Sequence, residues 1–343
     1  MATAAAGASD PRETGVHPRS SALLRELSIC VIDMNNGHVN QAMRCFRGIV
    51  ASFFERVARA NPGLRTRVVE VSPRDTQARI PRDCDIYIGS GGPGSPYDGD
   101  HERWFADFSS FCDEIAVAGR SNDGDEKSLF AVCYTFEMLV RHFKVADVSM
   151  RDSRKFGVMP IYTTPYGQRH DLLHAFHDRL FAFEHRNWEA VNLDEARLRE
   201  LGGGVLAQES RDGHSKGRAL LGVDFGGGIE GVQFHPEADR AGVMSWVARP
   251  EQAEAFRETY GEFTYQAMLR TLDDPNRLAR TFALVIPGYL TRRFNRLASH
   301  RGYTPVEPPS TEDVLAAFSG DQGGATRAAA REGAAAPKVA VNL

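Results

Sequence analysis

The chain has 343 residues, 42% of them hydrophobic and 25% charged, enough for a substantial buried core in one large domain with additions or two modest ones. A formal net charge of −4 excludes the electrostatic footprint expected for nucleic acid or an anionic membrane surface. No apolar run approaches the roughly 20 residues of a membrane helix.

The first segment, MATAAAGASDPRETGVHPRSS, joins no basic cluster to an apolar block, so no secretory signal is expected there. Residues 1–24, rich in Ala, Gly, Ser and Pro, are expected to be disordered. LSICVID (Leu27 to Asp33) is a continuous apolar run and predicts a buried parallel strand. Val39, Met43, Phe46, Ile49, Val50 and Phe53 then recur at helical spacing. RTRVVEV and CDIYIGS predict two more strands, the latter ending in GGPG; Trp104 to Cys112 is again helical, and SLFAVC is a fourth strand. Strands alternating with helices predict an α/β fold: a doubly wound, flavodoxin-like, mostly parallel sheet with helices on both faces.

After the helical YTFEMLVRHF come shorter strand-like runs, KFGVMPIY, RLFAFEH, GGVLAQES, ALLGVDF and IEGVQF, the last two joined by Gly226 to Gly228 as a tight hairpin turn. Residues 250–319 read as a C-terminal helical extension that packs on the domain or offers a partner surface, and residues 320–343 as a low-complexity, disordered tail. The main domain is expected over 25–249.

Five cysteines, Cys30, Cys45, Cys84, Cys112 and Cys133, are too few and too scattered for a disulfide framework or a zinc finger. A reducing cytoplasm is the expected location. Free cysteine is commonly a buried packing residue, but Cys133 falls where SLFAV runs into a helix. Such a corner holds a nucleophile proud of the carboxyl edge of a sheet, where open α/β sheets bind ligands. Helix amides facing the sulfur favour the thiolate.

A thiolate needs a base and an oxyanion site. GVQFHPE (Gly231 to Glu237) places His235 and Glu237 on one side of an extended backbone kept from turning helical by Pro236. Glu237 would then fix the tautomer of the imidazole while its other nitrogen takes the proton from Cys133. In SGGPGSP (Ser90 to Pro96) the glycines allow backbone N–H groups to turn toward a ligand, and Gly92 N–H with Tyr134 N–H forms a candidate oxyanion hole.

These segments resemble the triad-type class I glutamine amidotransferases. SGGPGSP resembles that family's oxyanion loop, and AVCYTFEML its nucleophile segment, nearest in motif to the GMP synthetase glutaminase domain. GVQFHPE matches its histidine–glutamate segment residue for residue. The likeness spans about residues 27 to 248. It implies a glutaminase in which Cys133 attacks the side-chain amide of glutamine, His235 carries the proton to departing ammonia, and water hydrolyses the thioester. It implies no cofactor and no metal. Gly91 and Gly94 would stand beside the substrate. No synthetase, ATP-pyrophosphatase or P-loop motif occurs, so a synthase subunit accepting ammonia is expected on a separate chain.

The sequence departs from the family at two places. Thr135 replaces the usual glycine two residues after cysteine and is expected to narrow the space for the substrate's carbon chain. Glu137 stands where a glutamine commonly contacts the substrate, on the same helix face as Cys133; Arg186 or a substrate ammonium would neutralise it. His185, in Glu184-His185 where the family has serine–histidine, is expected beside the pocket. Three readings stay open: a glutaminase; the same triad on another substrate, as a γ-glutamyl-amide hydrolase or a homoserine acyltransferase-like enzyme; and a non-catalytic binding module. Two other signals are set aside. Gly89, Gly91 and Gly94 match GxGxxG but precede a turn instead of a helix, and His170, His174 and His177 lack a fourth metal ligand.

Overall fold

The computed structural model describes residues 26–121, 126–210 and 219–319. The segments 1–24 and 320–343, expected to be disordered, lie outside the described residues. In chain order the elements are β1 (Glu26–Ile32), α1 (Gln41–Ala60), β2 (Arg65–Val71), α2 (Pro73–Thr76), β3 (Ile86–Gly89), α3 (Arg103–Ala118), β4 (Ser128–Val132) and α4 (Tyr134–Phe143). Then follow β5 (Asp147–Thr163), β6 (Arg179–Val191), α5 (Glu195–Glu200), β7 (Gly204–Gln208), β8 (Leu220–Asp224), β9 (Ile229–Val232), α6 (Arg240–Val247), α7 (Pro250–Leu272), α8 (Leu278–Arg301) and α9 (Thr311–Ser319).

All nine strands form one sheet in the order β2-β1-β3-β4-β9-β8-β6-β5-β7. From β2 to β9 neighbouring strands run parallel; from β9 onward every pairing is antiparallel. The expected mostly parallel, flavodoxin-like sheet is therefore corrected to a mixed one. The physical reason lies in the connections. A parallel neighbour needs a crossover of a dozen or more residues, whereas a tight turn can only reverse the strand. Gly226, Gly227 and Gly228, all at positive φ, make that turn between β8 and β9.

The first strands are buried on both faces, and alternate residues supply two cores. Leu27, Ile29, Val31, Ile86, Ile88, Phe130 and Val132 point to one side, where they meet α1 and α8. Cys30, Ile32, Tyr87, Leu129 and Ala131 point to the other, where they meet α3 and α4. The period-two pleat thus yields α/β layering with helices on both faces. At the edge, β2 alternates half-buried and exposed residues and buries only Val71, and Arg67 and Glu70 pair with Glu26 and Arg47; charges on an edge strand oppose pairing with another chain.

The segment 250–319 is helical, but α8 is no appendage. Phe294 stands edge-on to Phe53 of α1 with centroids 6.1 Å apart, and Tyr289 lies 5.0 Å from Phe130 of β4. Without α8 this apolar half of the sheet face would meet water. A third cluster joins α6 and α7 to β5 through Phe156, Phe256 and Met268. No helix among the described residues is long and apolar enough to cross a membrane.

Candidate active site

Cys133 occupies the single residue between β4 and α4, at φ 49°, ψ −104°. A non-glycine residue in that region is strained, at a cost of roughly 1–3 kcal/mol, and persists only where surroundings fix it. Two backbone bonds do so: Cys133 N–H donates to Val232 O (2.8 Å), and Glu137 N–H donates to Cys133 O (2.9 Å). The residue is only 5% exposed, and that exposure opens onto a cavity of about 640 Å³.

His235 follows β9 and is pinned to β6, its N–H donating to Phe183 O at 2.8 Å. Its Nδ1 lies 2.9 Å from Glu237 Oε1, and Glu237 is buried. Burial works against a charged imidazole here, but the Glu237 carboxylate, and after it the neighbouring Cys133, outweigh it and hold the pKa well above its ordinary value. The arrangement favours a cation on His235 beside the sulfur.

The glycine loop closes the other side. A Cβ on Gly91 would lie 2.8 Å from His235 Cε1 and 3.4 Å from Cys133 Cβ, so a larger residue here would crowd the ring. A Cβ on Gly92 would lie 2.2 Å from Met34 O. The loop is held by Ser90 Oγ, which accepts from Met34 N–H (2.9 Å), and by Arg74 Nη1, which donates to Met34 O and Pro93 O (both 2.8 Å). Gly91, Gly92 and Gly94 all line the cavity. The Tyr134 side chain is buried with the Arg74 guanidinium 4.2 Å from its ring centroid, so what it offers the site is its backbone N–H, at the first position of α4 where helical geometry supplies no acceptor.

Thr135 does not join them. It is fully buried, and its hydroxyl donates to Ser90 O at 2.6 Å, tying α4 to the end of β3. It braces the glycine loop from beneath and does not narrow the cavity as expected.

Glu137 does line the cavity, and is buried, not solvated. Its partner is Gln233, whose Nε2 donates to Glu137 Oε1 (2.8 Å) and stands 3.7 Å from Cys133 Sγ. Burial pushes the Glu137 carboxyl up to about 7, against the opposing pull of Gln233, Arg186 and His235. Arg186, expected as its counter-ion, is already held by Glu184 (2.6 Å), Glu209 (3.0 Å) and Trp188 O (3.0 Å). Gln233 escaped the sequence reading although its signal was present: in an extended segment it shares a side with His235, two residues on.

His185 is on the cavity wall, its ring stacked on Phe183 at 6.2 Å and 14°. Desolvation by the wall, then the neighbouring Arg154, lower its pKa to about 4. Phe183, Trp188, Trp246, Arg154 and Arg249, none of them singled out in the sequence, complete this side. Among the described residues no group of three or more His, Cys, Asp or Glu side chains stands together as a metal site. His170 instead approaches Asp224 (3.6 Å).

No protein-family model matches the sequence, and no curated protein matches it. Among solved structures, that of SMU.1228c is similar over 78% of this chain and all of its own, at 18% identity and a TM-score of 0.51. A glutamine amidotransferase from Thermotoga maritima is 14% identical over 79% of this chain and 97% of its own, with a TM-score of 0.49. The glutaminase domain of Trypanosoma brucei CTPS, with bound acivicin, is 14% identical over 83% of this chain and 98% of its own, with a TM-score of 0.46. The solved structures that resemble this chain thus include glutamine amidotransferases, and at 18% identity the likeness to SMU.1228c is one of fold.

Proposed function

We propose that this protein is a cysteine-nucleophile amidohydrolase of the class I glutamine amidotransferase type, acting on the side-chain amide of glutamine or a γ-glutamyl compound. The observation that carries the reading is the strained corner residue Cys133 sharing one cavity with the His235–Glu237 pair, 2.9 Å apart.

In this mechanism His235 holds the proton of the Cys133 thiol, and the thiolate attacks the amide carbon. The carbonyl oxygen becomes an oxyanion facing Gly92 and Tyr134 N–H groups. The C–N bond breaks as His235 returns the proton to nitrogen, releasing ammonia or an amine and leaving a thioester. Water then attacks, His235 accepts its proton, the C–S bond breaks, and a carboxylate leaves with the thiolate restored. Glu237 keeps Nδ1 of His235 engaged so that Nε2 faces the sulfur. Ammonia, where it is the product, passes to a synthase on a separate chain.

The buried Glu137 supports the choice of acyl group, since glutamine and every γ-glutamyl amide carry the same α-ammonium on that part. A buried carboxylate with one neutral partner is complementary to an ammonium group of the substrate.

Purified protein incubated with glutamine is expected to yield glutamate and ammonia in equal amounts. Cys133→Ala should lower turnover by at least about a thousandfold. Turnover that survives this substitution sinks the proposal.

A further inference from the structure

Much of the cavity wall has no part in the hydrolysis just described. A volume of about 640 Å³ lies within the roughly 300–1,000 Å³ that holds drug-sized ligands, more than an amino acid fills. The charges on the wall are also unevenly matched. Arg186 is neutralised by Glu184 and Glu209, Asp239 by Arg44 (2.9 Å), and Glu237 faces His235. Arg154 and Arg249 line the same cavity and have no carboxylate partner among the described residues.

Geometry says which end of a substrate these cations meet. An imidazole that protonates a departing nitrogen must face that nitrogen, so any substituent on it continues past His235. Next to His235 stands Phe183, with ring centroids 6.2 Å apart. Trp246 meets Phe183 edge-on at 5.2 Å and His185 at 6.3 Å. Arg154 donates to Nε2 of His185 and lies 5.2 Å from the centroid of Phe156. That contact requires a neutral imidazole, in keeping with a His185 pKa lowered to about 4. It holds the guanidinium at one nitrogen, and among the described residues no carboxylate takes its other donors. Glu137 and Gln233 lie by the sulfur, where the acyl part sits.

We propose that Phe183, His185, Trp246, Arg154 and Arg249 form a leaving-group subsite, and that the amide cleaved here carries on its nitrogen a planar, apolar body ending in a carboxylate. The aromatic edges hold the planar body, and the arginines take the carboxylate by charge-assisted hydrogen bonds. The substrate class is then a γ-glutamyl amide of an acidic amine. This assignment rests on the amidohydrolase reading for its chemistry, which is unchanged: the amine leaves with the proton from His235, and water supplies the oxygen of the released carboxylate.

Two chromogenic compounds separate the possibilities, γ-glutamyl-4-nitroanilide and its 3-carboxy derivative, which differ by one carboxylate. Calorimetry on the Cys133→Ala protein should show the carboxylated compound binding about tenfold more tightly, the worth of one charge-assisted hydrogen bond. Arg154→Gln and Arg249→Gln should each shrink that ratio, with thermal melts to check folding. Equal affinities, or a preference that survives both substitutions, overturn the subsite. With wild-type protein, kcat/KM for the carboxylated anilide should exceed that for glutamine. Glutamine turned over as efficiently as the anilide overturns the subsite and leaves the hydrolytic reading standing. A tenfold binding preference without any nitroaniline released by the wild-type protein supports the subsite and overturns the hydrolytic reading.

Discussion

Gly91 is the residue on which the placement of the ring depends, because a methyl group there would lie 2.8 Å from His235 Cε1. Gly91→Ala should displace the His235 imidazole and reduce glutamine turnover by about a hundredfold, the scale of a 1 Å misplacement. Its melting temperature should stay within a few degrees of wild type. Undiminished turnover in this variant shows that the ring is not needed where it stands. Glu137 makes a different kind of prediction. Burial moves its pKa from 4.5 to about 7, so folding takes up a proton between those values. Stability relative to Glu137→Gln is therefore greatest below the unfolded pKa and falls as pH rises through 7, by up to about 3 kcal/mol. The melting difference between the two proteins should widen from pH 5 to pH 8 in favour of glutamine; a pH-independent difference removes the argument. At this scale the strand–helix corner at Cys133 and the pairing of His235 with Glu237 were legible in the local pattern, whereas the tether of His235 to Phe183 O of β6 was not. Thr135 was misread because its hydroxyl answers to Ser90 O, across the sheet edge, which no spacing rule reports.

Among the elements, α8 shows how a helix expected to pack on the domain does so. Its periodicity announces a helix but says nothing of where Arg292, Arg293, Arg296 and Arg301 find partners. In the fold Arg292 and Arg293 pair with Glu230 of β9, Arg296 with Glu126 (2.6 Å) and Arg301 with Asp85 (2.7 Å). The charges clamp the helix to strand ends while Phe282, Ile286, Tyr289 and Phe294 fill the layer between. Helical spacing announces that this segment packs, but it cannot name partners more than 60 residues away in the chain. Phe294→Ala should lower unfolding free energy by about 3–5 kcal/mol, as for other large aromatic truncations in a core. Urea titration checks this, and a loss below about 1 kcal/mol means that α8 does not share the sheet's core.

For the whole molecule, the layering was legible and the strand directions were only half so. A buried apolar run looks the same pointing up or down; only its connections reveal its sense. The Gly226–Gly228 turn was read correctly, yet its consequence, that everything beyond β9 runs antiparallel, needs the long pairing of β5 with β6 that the sequence showed only in pieces. The cavity sits where these two regimes meet, with sulfur supplied by the parallel half and the imidazole tethered to β6.

The backbone twist at Cys133 has a price beyond chemistry. Alanine removes the thiol and keeps the torsional burden, whereas glycine relieves both at once. Cys133→Gly should therefore melt higher than Cys133→Ala by a few degrees, even though glycine widens the unfolded ensemble, and the reverse order implies that the corner is relaxed. A population selected for robustness alone would drift toward glycine here and lose the thiol on which the proposed activity rests.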